Sequence, residues 1–73
     1  MSNIKSFTLV RTTFDKLTLE KYYKKELKID KNYLFLSEIT NMPGHCMLFD
    51  LDRERILGPF HCNEFRVCTE EEI

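Results

Sequence analysis

Between residues 4 and 10 the chain reads Ile-Lys-Ser-Phe-Thr-Leu-Val, a stretch rich in β-branched and aromatic residues in which Phe7 and Leu9 share one face of a two-residue repeat. That period predicts a first strand. The segment Thr12-Thr13-Phe14-Asp15 breaks it. Over residues 19–28 the period changes. Leu19, Tyr22, Tyr23 and Leu27 stand at i, i+3, i+4 and i+8, the apolar stripe of a helix, with lysines and glutamates on the other sides. Thr18 is placed to cap this helix, its hydroxyl accepting from a free first-turn N–H. A window this short is held by packing rather than by propensity.

Asp30-Lys31-Asn32 reads as a turn, because Asp and Asn bond their own backbone and tolerate left-handed geometry. The following Tyr33-Leu34-Phe35-Leu36-Ser37-Glu38-Ile39 begins as a continuous apolar run and ends mixed, as a bent strand buried on both sides at one end would. In Asn41-Met42-Pro43-Gly44 the proline presets φ and the glycine supplies positive φ, the pair that a type II turn requires. Residues 46–51 read as the next strand and residues 52–55 as a polar connection. Residues 56–61 form a strand interrupted by Gly58-Pro59, which places it at an edge or at a bulge, since proline removes a ladder donor. Residues 62–64 fit one 3-10 turn, residues 65–68 complete the sheet, and residues 69–73 are expected to fray. These elements predict a mostly β (α+β) fold, a small antiparallel barrel with one short N-terminal helix, whose closure removes exposed edges. The whole chain is one domain: a strand and short helix over residues 1–26, the barrel over 27–68, an acidic tail over 69–73.

Composition agrees with an ordered core. Of 73 residues 42% are hydrophobic, with six Phe and three Tyr against two Gly and two Pro, which is unlike the low hydrophobicity or high net charge of disordered chains. Eleven basic and twelve acidic residues give a net charge of −1, whereas a duplex-DNA binder of this size is usually basic overall. The charge is unevenly placed: Lys16, Lys21, Lys24, Lys25, Lys28 and Lys31 crowd one stretch, and Glu70, Glu71 and Glu72 stand just before Ile73. Three cysteines, an odd number, without the apolar core of a secretory signal, predict reduced thiols in a cytoplasmic setting. No apolar run approaches the roughly 18 residues of a membrane span, so no membrane association is expected.

The stretch from Tyr33 to Ile39, then Asn41-Met42-Pro43-Gly44-His45-Cys46, then Gly58-Pro59-Phe60-His61-Cys62-Asn63-Glu64-Phe65 resembles short uncharacterised SH3-like-barrel proteins of tailed bacteriophages. Those proteins carry a segment of the form fLGEIpNMPGHC followed by one of the form GyHtdNFreL. The resemblance covers about residues 27–70 and leaves residues 1–26 outside. It departs at Pro59 and Cys62, where the family usually has tyrosine or tryptophan and threonine. It implies an SH3-like, phage-encoded small protein of the host cytoplasm, in a group whose members often bind one host protein as takeover or anti-defence factors. It supplies no activity.

Two His and two Cys, His45-Cys46 with His61-Cys62, are the residue types that hold zinc. Their spacing opposes that use, because adjacent residues on a strand point to opposite faces. A Cys–His nucleophile pair is likewise conceivable, but it needs an oxyanion hole and a cleft, and a barrel this small has little volume left for one. No catalysis and no cofactor are therefore expected. Cys46 and Cys62 read instead as small buried hydrophobes.

The first functional expectation is a protein-interaction module that binds and inhibits or redirects a host or defence protein. Its contact candidates are Tyr22 and Tyr23 on the helix and Met42, Pro43 and His45 on the turn, since turn loops on rigid scaffolds often carry recognition. If the target itself binds nucleic acid, Asp50, Asp52, Glu54 and Glu70 to Glu72 would imitate phosphate. The alternative is a nucleic-acid or nucleotide binder in which Lys21, Lys24, Lys25 and Lys28 contact phosphate and the tyrosines stack on bases. The same tyrosines also fit the core stripe of the helix. A small core gains from a second subunit, and the Gly58-Pro59 strand is the candidate seam of a homo-oligomer.

Overall fold

The first strand begins later than the two-residue period predicts. In the computed structural model, which describes residues 4–22 and 27–73, β1 spans Thr8–Thr12. Phe7 lies outside it, 73% exposed, with a left-handed φ of 66° that ends the extended run, and its N–H donates to the Phe35 carbonyl at 2.6 Å.

The helix is also displaced from its expected position. α1 is Lys16–Tyr22, and Leu27 and Lys28 are not helical. Asp15, rather than Thr18, caps it: the Asp15 carboxylate accepts from the Thr18 N–H at 2.8 Å and its carbonyl from the Leu19 N–H at 3.1 Å. The expected stripe divides accordingly. Leu19 and Leu27 are buried, but Tyr22, the last residue of α1, stands 67% exposed. Tyr23, Lys24 and Lys25 lie outside the described residues.

The remaining strands follow the sequence pattern closely. β2 is Tyr33–Glu38, β3 His45–Asp50, β4 Arg55–His61 and β5 Phe65–Val67, and all neighbours in the order β4-β3-β2-β1-β5 are antiparallel. Asp30 adopts the left-handed turn conformation at φ 58°. Residues 42–45 form the type II turn, with Gly44 at φ 79° and the His45 N–H donating to the Met42 carbonyl at 3.0 Å. β2 bends at a register shift between Phe35 and Ser37. β4 is an edge strand, and its register against β3 shifts where Gly58-Pro59, a cis peptide, faces Met47. Cys62–Glu64 is a 3-10 turn between β4 and β5. No ladder joins those two outer strands among the described residues, so the sheet is open rather than a hydrogen-bonded closed barrel. No helix among the described residues is long and apolar enough to cross a membrane.

One face of the sheet builds the core. Val10, Tyr33, Phe35, Cys46, Leu48, Leu57, Phe60 and Phe65 pack there with Leu19 of α1 and Leu27, while Ile4 and Phe14 cover its rim. Asp50, at the end of β3, is fully buried beside this core. Its Oδ1 accepts from Lys31 Nζ at 2.8 Å and from the N–H groups of Asp52 and Arg53, and its Oδ2 from Arg53 Nε at 2.7 Å. Burial alone would raise this carboxyl, but the hydrogen bonds from Lys31 and Arg53 outweigh it and hold the group well below the usual carboxylate range. Lys31, one of the six crowded lysines, is thus an internal partner.

Removing one member of a buried pair strands the other charge, so Asp50→Ala is expected to lower unfolding stability by about 3–5 kcal/mol. Asp52→Ala removes a carboxylate that is 79% exposed and is expected to cost less than about 1 kcal/mol. Urea denaturation of the two variants checks both.

Candidate functional site

Strand alternation decides what His45, Cys46, His61 and Cys62 do. His45 and His61 are direct cross-strand partners, with ring centroids 4.3 Å apart and planes tilted by 42°. His61 is exposed and His45 half-buried. Within the turn, His45 Nδ1 lies 3.2 Å from the Pro43 carbonyl, the contact expected to steady that loop. Cys46 and Cys62 are both buried on the opposite, core-facing side as free thiols that hydrogen-bond to each other. Burial, reinforced by the neighbouring Cys62, pushes the Cys46 thiol up to about 12, and burial raises Cys62 too. A thiol in that state is protonated and unreactive at neutral pH. The four residues therefore form two separate pairs on opposite faces.

The lysine and tyrosine candidates are more open than the core-stripe expectation allows. Tyr22 is exposed, and Lys21 Nζ sits 5.4 Å from its ring centroid. Lys28 is exposed at its side chain, while its N–H donates to the buried Tyr33 hydroxyl at 2.8 Å. Met42 is 38% exposed, and Pro43 is exposed beside it.

The acidic candidates divide. Asp52, Glu54, Glu70 and Glu71 are exposed, whereas Asp50 is consumed in the fold and Glu72 is held. Residues 69–73 do not fray: Glu70–Glu72 is a 3-10 turn closed by a capping box with Thr69. Arg66 Nη1 and Nη2 donate to the two Glu72 carboxylate oxygens at 2.7 Å each, the Thr69 N–H donates at 2.9 Å, and Arg11 Nη1 lies at 3.2 Å. The Asn32 amide donates to the Glu72 carbonyl at 2.7 Å. Arg66, with the Thr69 N–H second, holds the Glu72 carboxyl down at about 2.

Two features of the outer face were missed in the sequence. Leu9, Leu34, Phe49 and Ile56 are aligned partners on β1, β2, β3 and β4 and form one apolar row across four strands. Leu9, Leu34 and Phe49 are half-buried and Ile56 is 61% exposed. α1 lies on the other side, where Leu19 joins the core. Next along the same face, Arg11 and Arg66 are direct cross-strand partners. The signal for the row was the absence of alternation in residues 33–36 and 46–49, where both faces of a strand are apolar.

Two residues beyond Arg66, Cys68 lies apart from the core cluster and donates to Asn32 Oδ1 at 3.3 Å, at the root of the Glu70–Glu72 turn. Asn32 in turn donates to the Glu72 carbonyl, which links Cys68 to that turn. Glu72→Gln is expected to accelerate alkylation of Cys68 by iodoacetamide while Cys46 and Cys62 stay protected, as read by mass spectrometry of the labelled native protein. The ordinary Glu72 value of 4.5 is lowered to about 2 in the fold, so its contribution is complete above about pH 4.5 and is lost as pH falls through about 2. The Arg66 side-chain N–H resonances should follow that titration and lose it in Glu72→Gln. Comparison of the chain with protein-family models, with curated proteins and with solved structures gives no match.

Proposed function

We propose that the chain is a small SH3-like, non-enzymatic protein-interaction module, phage-encoded, that binds and inhibits or redirects a host or defence protein in the host cytoplasm. The phage and host parts of this proposal rest on the resemblance carried by residues 33–46 and 58–65. The SH3-like part is supported by the all-antiparallel order β4-β3-β2-β1-β5 with a 3-10 turn between the two outer strands. The observation that carries the interaction itself is the row Leu9–Leu34–Phe49–Ile56. A contiguous apolar row with an exposed end, on a sheet face opposite the core, is the kind of surface that a partner covers. The arrangement of protonated thiols on one face and imidazoles on the other gives no nucleophile–base pair, which supports a role without catalysis.

A second reading, nucleic-acid binding, is favoured by one observation: Tyr22 is open to solvent beside Lys21 and free to stack on a base.

Capture of partners from a bacterial lysate on immobilised protein is expected to yield a discrete partner that Phe49→Glu and Ile56→Glu lose and that Lys21→Glu with Tyr22→Ala retains. Binding of a single-stranded oligonucleotide at about 50 mM salt that disappears in Lys21→Glu with Tyr22→Ala, and falls steeply with added salt, would establish the nucleotide reading in its place.

A further inference from the structure

Arg11 and Arg66 are placed directly opposite one another on β1 and β5. Like charges in that position are destabilising unless an anion lies between them. Here the anion is the Glu72 carboxylate, which receives both Arg66 Nη groups, the Thr69 N–H and Arg11 Nη1. The donors form a fork with bidentate geometry, the arrangement by which arginine selects carboxylate or phosphate. Arg11 is held by more than the Glu72 carboxylate, since its Nε donates to Asn32 Oδ1 at 2.7 Å and its Nη1 lies 3.6 Å from Asp30 Oδ1.

The segment that fills this fork is held almost entirely by polar contacts. No residue of the Glu70–Glu72 turn is buried, and the following Ile73 is 76% exposed. A surface segment without buried apolar area belongs to the low-stability end of a fold and opens more readily than the core. The fork also adjoins the apolar row. Leu9 lies two residues from Arg11 on β1, and Leu34 lies two residues from Asn32, so all four share one face. Apolar and cationic subsites are thus contiguous, and residues 69–73 occupy only the cationic one.

Resting on the interaction reading above, we infer that the outer face receives an acidic peptide segment of a partner protein. A carboxylate of that segment replaces Glu72 between Arg11 and Arg66, and an apolar side chain beside it lies on Leu9 and Leu34. The chain's own Thr69-Glu70-Glu71-Glu72-Ile73 has the same acidic-then-apolar order and acts as an intramolecular competitor. A tethered segment competes at an effective concentration of about millimolar, so it masks the fork against weak ligands and yields to a segment that also fills the apolar subsite.

The test uses the full chain and its Glu72→Gln variant, with the acetylated peptide Thr-Glu-Glu-Glu-Ile and inorganic phosphate as separate probes. Binding is followed by NMR at the Arg11 and Arg66 side-chain N–H groups and the Leu9 and Leu34 methyls. The peptide is expected to move both sets of signals and to bind Glu72→Gln at least about ten-fold more tightly than wild type, the competitor having been removed. In the wild-type chain the same peptide should accelerate Cys68 alkylation, because displacing the turn uncovers that thiol. This second measurement holds even if the variant folds poorly. Phosphate that reproduces the arginine shifts, with no methyl response to the peptide, would overturn the inference in favour of a simple anion site. An unresponsive fork in both proteins, or a dimer with exchanged 69–73 segments, would overturn it outright. Partner capture that depends on Phe49 and Ile56 but survives such a result leaves the interaction reading standing and removes only this one.

Discussion

A carboxylate with no exposed surface is tolerable only when every lone pair is met by a donor, and Asp50 sets that condition for the whole molecule. Its partners come from two places: Lys31 before β2, and the N–H groups of Asp52 and Arg53 with the Arg53 side chain in the β3–β4 connection. Lys31 also lies 5.3 Å from the Tyr33 ring centroid, and the Tyr33 hydroxyl accepts the Lys28 N–H. One buried charge thus joins the segment leaving the helical region to the far end of the central hairpin. The aromatic and aliphatic core supplies most of the driving force without direction. Asp50 supplies direction, because its hydrogen bonds bring Lys31, ahead of β2, to the turn that follows β3.

The two faces of the sheet have different tasks. The inner face packs its large side chains against Leu19 and Leu27. The outer face holds an apolar row and, next to it, an arginine pair whose repulsion is relieved by Glu72. Part of the charge in this protein is therefore committed. Asp50, Lys31, Arg53, Arg11, Arg66 and Glu72 are all engaged with one another or with backbone. An acidic surface that imitates nucleic acid loses Asp50 and Glu72 on this account, whereas Asp52, Glu54, Glu70 and Glu71 remain at the surface.

The β-rich half of the fold was legible in the sequence because its signals are local. Pro43-Gly44 announces a type II turn, Gly58-Pro59 an edge bulge, and residues 62–64 a 3-10 turn, each through backbone chemistry carried by one or two residues. The N-terminal third was less legible. The stripe of Leu19, Tyr22 and Leu27 is real as a spacing, but Asp15 starts the helix earlier and Leu27 reaches the core from outside it. Phe7 misled because its left-handed φ cannot be read from a two-residue period. The fork was invisible for another reason: Arg11, Arg66 and Glu72 are joined only by the pairing of β1 with β5, a contact between distant parts of the chain. Glu72 in particular read as one member of an acidic tail expected to fray, and Arg11 reaches it only through that pairing.

The bulge in β4 has a further consequence for how the sequence can vary. A Cβ at Gly58 would lie 2.8 Å from Met47 Sδ and 3.0 Å from the Cys46 carbonyl oxygen, at a φ of 134°. Trimming Met47 would free the space but leave both the backbone conformation and the carbonyl in the way, so no compensating change at position 47 can rescue a side chain at 58. Variation there is blocked twice over, by main chain as well as by neighbour. Homologues that keep this bulge should keep this glycine, while position 47 stays free to drift among flexible apolar residues.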